Sequence, residues 1–196
     1  LIPCFTFSSP RALKMLSIFW RRVLGIYKPS SQVRVEKMMI PSEENRFLMP
    51  ARVFRPDIST DEKRPCLILY HGGAFYLPAS SFHYKLAEIY ATATNCVVVF
   101  PDYRLAIDHP FPAGFNDCYS TLLWAEKNSD ALGIDASKIA VGGDSAGGCL
   151  AAAVALKARD AHGPNLCGQM LIYPVIDYQC RTDSANNFVK SPLWNA

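Results

Sequence analysis

The sequence predicts an α/β fold, a mostly parallel sheet with helices on both faces that together form a three-layer sandwich. Four short, continuous apolar runs, at 66–70, 96–100, 139–141 and 170–173, suit strands buried on both faces of a parallel sheet. Helix-length segments at 82–94, 113–128 and 146–159 separate them, so strand and helix alternate along the chain. The fourteen prolines cluster at the ends of these segments, where they punctuate the chain rather than disorder it.

Taken in order, residues 1–30 read as an amphipathic helix. Within it, Lys14, Arg21 and Arg22 interrupt the apolar stretch 12–24 well short of the roughly 18 apolar residues that a membrane span needs, so no span is expected in this segment. Two alternating runs follow, 33–40 and 51–55, on either side of the polar turn 41–45, and predict an antiparallel hairpin. The charged loop 57–64 then leads into the first buried strand. No internal repeat or long linker divides the chain, and a single domain over 1–196 is expected.

Composition narrows the function. Half of the 196 residues are hydrophobic and 19% are charged, as in a soluble globular domain. The net charge is only +3 and the basic residues are scattered apart from Arg21 and Arg22, which argues against nucleic acid as a partner. The seven cysteines, Cys4, Cys66, Cys96, Cys118, Cys149, Cys167 and Cys180, lie far apart with no C-x-x-C pair. They read as buried, unpaired thiols of a reducing, cytoplasmic compartment. No metal or organic cofactor is expected, and nothing sets an oligomeric state. The chain starts at Leu1 rather than Met and 191–196 carries no stop signal, so both ends read as cut.

The chemistry is concentrated in two glycine-rich turns. The run 139–141 passes into Gly142-Gly143-Asp144-Ser145-Ala146-Gly147-Gly148 and then into the small-residue helix 150–156, a G-x-S-x-G motif between strand and helix. A serine on so tight a turn needs neighbours without side chains, which Gly143 and Gly147 supply, and its hydroxyl is then held clear of the sheet as a nucleophile. The amide of Ala146, at the start of the helix, is placed to stabilise an oxyanion. A serine that only caps the helix, or a phosphate-binding turn, would share this local pattern.

A second motif decides between these readings. His71-Gly72-Gly73-Ala74 directly follows the first buried strand, where lipases and esterases carry an HGGG-type oxyanion loop. Gly72, Gly73 and Ala74 are therefore the candidate loop of an oxyanion hole, in which the amides of Gly73 and Ala74 are expected to join that of Ala146, each donor worth about 3 kcal/mol of transition-state stabilisation. His71 precedes the serine and sits in this loop, so it is expected to support the loop rather than act as base.

At these residues the chain resembles the hormone-sensitive lipase family of α/β hydrolases, which includes bacterial esterases and arylacetamide deacetylases. A third segment, Asp102-Tyr-Arg-Leu-Ala106 followed by His109-Pro-Phe-Pro-Ala113, is similar to a family segment that braces the floor beneath the oxyanion loop. The resemblance makes His71, Asp102, Arg104, His109 and Asp144 structural supports. It departs at Ala74, where the family has a third glycine, and at Ile107-Asp108, where the family has proline and glutamate.

The resemblance also implies an α/β-hydrolase fold of eight strands, cut after about the sixth, with 1–30 as an N-terminal cap helix and 178–196 opening a cap insertion. In the family the triad acid and histidine follow the seventh and eighth strands, so both are expected beyond residue 196. His162, the one histidine after Ser145, lies roughly 25 Å along the helix at 1.5 Å per residue. The implied activity is hydrolysis of small-molecule esters with short to medium acyl chains, through an acyl-enzyme on Ser145. An amidase or deacetylase using the same serine is one alternative. A non-catalytic small-molecule binder is the other, since the plant gibberellin receptors resemble this family.

Overall fold

The computed structural model describes residues 14–15, 18–19, 26–42, 47–60, 62–177, 179 and 181–187. Six strands form one sheet: β1 (Val33–Pro41), β2 (Leu48–Pro56), β3 (Arg64–Tyr70), β4 (Val97–Pro101), β5 (Ile134–Asp144) and β6 (Gly168–Ile172). Five helices accompany them: α1 (Ser81–Thr94), α2 (Ala113–Lys127), α3 (Ser129–Leu132), α4 (Ala146–Asp160) and α5 (Asp183–Asn187).

The spatial order is β1-β2-β4-β3-β5-β6. β1 and β2 form the expected antiparallel hairpin, with register from Val33 opposite Pro56 to Pro41 opposite Leu48. β2 pairs antiparallel with β4, while β4, β3, β5 and β6 run parallel. β3 thus has β4 on one side and β5 on the other, and the order of strands reverses around it. The loops leaving the carboxyl ends of β3, β4 and β5 open there, where ligands of open α/β sheets bind.

Alternation along β3 and β4 explains why 66–70 and 97–101 are apolar throughout. Cys66, Ile68 and Tyr70, with Val97 and Val99, enter one core together with Leu122 of α2 and Leu150 and Val154 of α4. Leu69, Val98 and Phe100 point the other way, against Phe54 and against Ala87 and Ala91 of α1. Each fully buried aliphatic or aromatic side chain here contributes about 1.5–3 kcal/mol. Small residues on α1 and α4 let both helices approach the sheet closely.

Two strands depart from expectation. β5 begins at Ile134 and runs through Asp144, well beyond 139–141, and its first half forms no apolar run because it carries the polar residues Asp135, Ser137 and Lys138. β6 was expected to be buried on both faces, yet its residues are exposed or half-buried. Among the described residues it is the sheet's edge, paired only with β5. Of the expected helix over 1–30, residues 14–15 and 18–19 are helical, residues 26–30 are not, and the rest lies outside the described residues. The same holds for 178–196, apart from the short α5.

Candidate active site

Ser145 sits at the junction of β5 and α4 with φ 52° and ψ −117°. A non-glycine residue pays about 1–3 kcal/mol for such a conformation and keeps it only where its surroundings over-determine it. Here they do. The Ser145 amide donates to the Ile172 carbonyl at 2.9 Å, and its own carbonyl accepts from Cys149 at 3.1 Å and Val175 at 3.2 Å. The side chain makes no capping bond to α4. A serine that merely caps the helix would use its hydroxyl in that way.

The flanking glycines answer to the neighbouring strand as much as to the turn. A Cβ on Gly143 would lie 2.4 Å from the carbonyl carbon of Gly147 and 2.5 Å from the carbonyl oxygen of Tyr70. Tyr70 is itself fixed, its hydroxyl donating to the Cys118 carbonyl at 3.0 Å inside the core. The elbow therefore packs backbone on backbone against the end of β3.

The loop after β3 turns through three successive positive φ values: Gly73 at 127°, Ala74 at 51° and Phe75 at 65°. The Gly73 carbonyl accepts from Tyr76 at 3.1 Å and Leu77 at 2.8 Å, closing the turn. Ala74 pays for a left-handed conformation that the family's third glycine would adopt freely. Among the described residues the amides of Gly73, Ala74 and Ala146 have no hydrogen-bond acceptor. The Gly72 amide is different, because it donates to Asp144 Oδ1 at 2.9 Å. That bond removes Gly72 from the set of candidate oxyanion donors and leaves three.

Asp144 links the two motifs. Burial pushes its carboxyl up, but His83 beside it and the Gly72 amide outweigh that and hold it below the ordinary value. The Nε2 of His83 lies 3.8 Å from Asp144 Oδ2. The other ring nitrogen, Nδ1, accepts from the Ser80 amide at 3.0 Å, in the capping box that starts α1. An accepting Nδ1 places the proton of a neutral ring on Nε2, toward Asp144.

The segment after β4 holds the loop from below. Tyr103 donates its hydroxyl to the His71 carbonyl at 2.7 Å, and the Ala106 amide donates to the Phe75 carbonyl at 2.8 Å. His71 is fully buried, stacked on Tyr103 with ring centroids 4.4 Å apart. Its Nδ1 lies 2.6 Å from the Gly72 carbonyl oxygen. Arg104 forms a bidentate pair with the buried Asp117, Nε to Oδ2 at 2.9 Å and Nη2 to Oδ1 at 2.7 Å. The backbone of Asp102 instead faces the hairpin, its amide donating to the Pro50 carbonyl at 2.8 Å. His109 is exposed, its amide bonded to the Leu105 carbonyl at 2.9 Å.

A cavity of about 420 Å³ opens beside this loop, walled by Ala74, Phe75, Tyr103, Phe115, Leu150 and Ala153. Its lining is almost wholly apolar apart from Arg104 and His109 at its margin. Among the described residues, which include all four histidines, none is hydrogen-bonded to the Ser145 hydroxyl. No group of three or more His, Cys, Asp or Glu among them could hold a metal ion.

Five of the seven cysteines are described, all unpaired. Cys66, Cys96 and Cys118 are buried as expected, but Cys149 is half-buried and Cys167 exposed. Cys167 follows the end of α4 in a connecting loop, where no layer covers it. Cys4 and Cys180 lie outside the described residues.

Two contributors to the site belong to no motif, His83 and Asp117. The S-x-x-H spacing from Ser80 to His83 was the available signal for the first, since it is the spacing of a capping box.

A profile of the alpha/beta hydrolase fold matches residues 67–196. Carboxylesterase NlhH of Mycobacterium tuberculosis is 44% identical over 126 residues, 64% of this chain and 39% of the relative. An arylesterase of Saccharolobus solfataricus is 33% identical over 162 residues, 83% of this chain and 51% of the relative. Among solved structures, a bacterial heroin esterase superposes with a TM-score of 0.83 at 33% identity, covering 96% of this chain and 59% of the other. The hyperthermophilic esterase of Pyrobaculum calidifontis gives 0.78 at 35% identity, over 95% of this chain and 58% of the other. The chain thus spans between 39% and 51% of the length of these two curated relatives. With the profile covering both the serine elbow and the segment that braces the loop, the chain belongs to the α/β hydrolase fold family, in its hormone-sensitive lipase branch.

Proposed function

We propose that this chain carries the nucleophile and the oxyanion hole of a serine carboxylic-ester hydrolase. The observation that supports this most strongly is the left-handed Ser145 on its backbone-packed elbow, with a hydroxyl that caps nothing and uncommitted amides at Ala146, Gly73 and Ala74. In the proposed reaction Ser145 Oγ attacks the ester carbonyl, the alcohol leaves, and water cleaves the acyl-enzyme. The three amides would receive the negative charge that develops on the carbonyl oxygen.

The base and acid of the triad are assigned to sequence outside the described residues, in keeping with the share of its relatives that the chain spans. The apolar cavity beside Ala74 suits one arm of a small ester with a short to medium acyl chain. Among the described residues no helix is long and apolar enough to cross a membrane. A cytoplasmic location belongs to the same reading, for which the unpaired thiols are the argument.

The decisive experiment is turnover of p-nitrophenyl butyrate by the protein expressed from its complete reading frame. Ser145→Ala should lower kcat by about four to six orders of magnitude while leaving thermal unfolding unchanged. Near wild-type turnover would sink the assignment. Running the matching anilide alongside separates an esterase from an amidase.

A further inference from the structure

His83 lies on α1, away from the serine elbow and from the loop motif, yet a chain of polar contacts joins it to both. Its Nδ1 is held by the Ser80 amide at 3.0 Å and lies 2.9 Å from the Ser80 hydroxyl. Its Nε2 lies 3.8 Å from Asp144 Oδ2, and the opposite oxygen of that carboxylate receives the Gly72 amide at 2.9 Å. The carboxylate lies flat against Gly72, so close that a Cβ there would fall 2.2 Å from Oδ2. Both side chains are largely buried, His83 at 16% and Asp144 at 15% exposure, so their attraction is only partly screened.

Asp144 is the residue before Ser145, and Gly72 the residue before Gly73. The Gly72–Asp144 bond therefore ties the serine elbow to the loop that carries two of the three candidate oxyanion amides. A carboxylate on β5 has rotamer freedom of its own, and the group that faces its second oxygen is the His83 ring.

We propose that His83 is a positioning residue for the oxyanion hole, acting through Asp144 and Gly72 on the placement of the Gly73 and Ala74 amides. This rests on the ester-hydrolase reading above. Misplacement of such donors by an ångström costs on the order of a hundredfold in rate, without requiring any loss of fold.

The two ring nitrogens allow a clean test, because two amide side chains each reproduce one of them. In His83→Asn the side-chain oxygen can still accept from Ser80, but nothing reaches Asp144. In His83→Gln the terminal NH₂ stands where Nε2 stood. Both variants are made in the protein from its complete reading frame, and kcat, KM, thermal unfolding and backbone hydrogen exchange over 72–74 are measured.

His83→Asn should lose about tenfold to a hundredfold in kcat with KM within about threefold, and should exchange faster at the Gly72 amide, the one of the three that is hydrogen-bonded. His83→Gln should keep kcat and exchange within about threefold of wild type. Adding Asp144→Asn to His83→Asn should cost little further, since both act through one contact. A residue that merely caps α1 gives the reverse order, with His83→Gln the poorer enzyme. That order, equal losses in both variants, or no loss in either overturns the proposal. Should the wild-type protein turn over no ester, the function assignment fails instead, and the order of exchange rates alone decides the role of His83.

Discussion

Gly147 and Tyr70 meet with no room between them: a Cβ on Gly147 would lie 2.0 Å from the Tyr70 carbonyl oxygen and 2.6 Å from its carbonyl carbon. Both obstructing atoms are backbone of a core strand and cannot move aside. Gly147→Ala is therefore expected to cost about 3 kcal/mol or more and to abolish turnover. Gly168→Ala is the control, since nothing lies within 4 Å of its added methyl. Thermal unfolding of the pair checks this, and equal midpoints would mean that the elbow is not packed as described.

Ala74 offers the opposite case. With φ at 51° it occupies a conformation that glycine adopts without steric cost. Ala74→Gly should raise stability by about 0.5–1 kcal/mol, a few degrees in Tm, and leave kcat within about twofold. A lower Tm would show that the alanine methyl, which lines the apolar cavity, contributes more by packing than the turn loses to strain.

The state of Asp144 predicts a pH dependence. Its carboxyl is held below 3.8 in the folded protein, so it contributes stability that is fully present above that pH. The contribution is lost as pH falls through the lower folded value. Asp144→Asn, which still accepts from Gly72 but carries no charge toward His83, should cost about 1 kcal/mol at pH 7. The gap in Tm between variant and wild type should close as the pH is taken below 3.8. A gap that stays constant to acid pH would refute the ionic part of the contact.

Thiol accessibility gives a test of the layers. Iodoacetamide applied to the folded protein should alkylate Cys167 first and Cys149 more slowly. Burial pushes the Cys66, Cys96 and Cys118 thiols up and shields them, so they should react only on unfolding. Timed peptide mass mapping reads this directly, and early labelling of Cys118 would contradict the packing of α2 on the sheet.

Much of this was legible in the sequence because the informative residues are local. Strand, glycine and serine at 139–147 lie side by side, and 71–74 follows its strand without a gap, so both turns could be placed before any contact was known. Glycine at 73 was also legible, as part of the loop motif. The structure adds a second reason, since its φ is 127° and a Cβ would lie 2.8 Å from the Leu77 carbonyl.

What was not legible depends on separation. The Arg104 to Asp117 pair, the Tyr103 hydroxyl on the His71 carbonyl and the His83 contact with Asp144 each join residues that only the fold brings together. That the Gly72 amide is committed to Asp144 was hidden for the same reason, as its acceptor lies 72 positions away. β6 is exposed because, among the described residues, it is the edge of the sheet.

The ties that hold Ser145 have a consequence in time. Its amide is bonded to Ile172 and its carbonyl to Val175, about thirty residues further along the chain. During synthesis the serine, both glycines and the helix behind them emerge before either of these partners. Until β6 is made and docks beside β5, the turn lacks the bonds to Ile172 and Val175, so a nascent chain holds the residues of the motif before it holds all the ties of their reactive geometry.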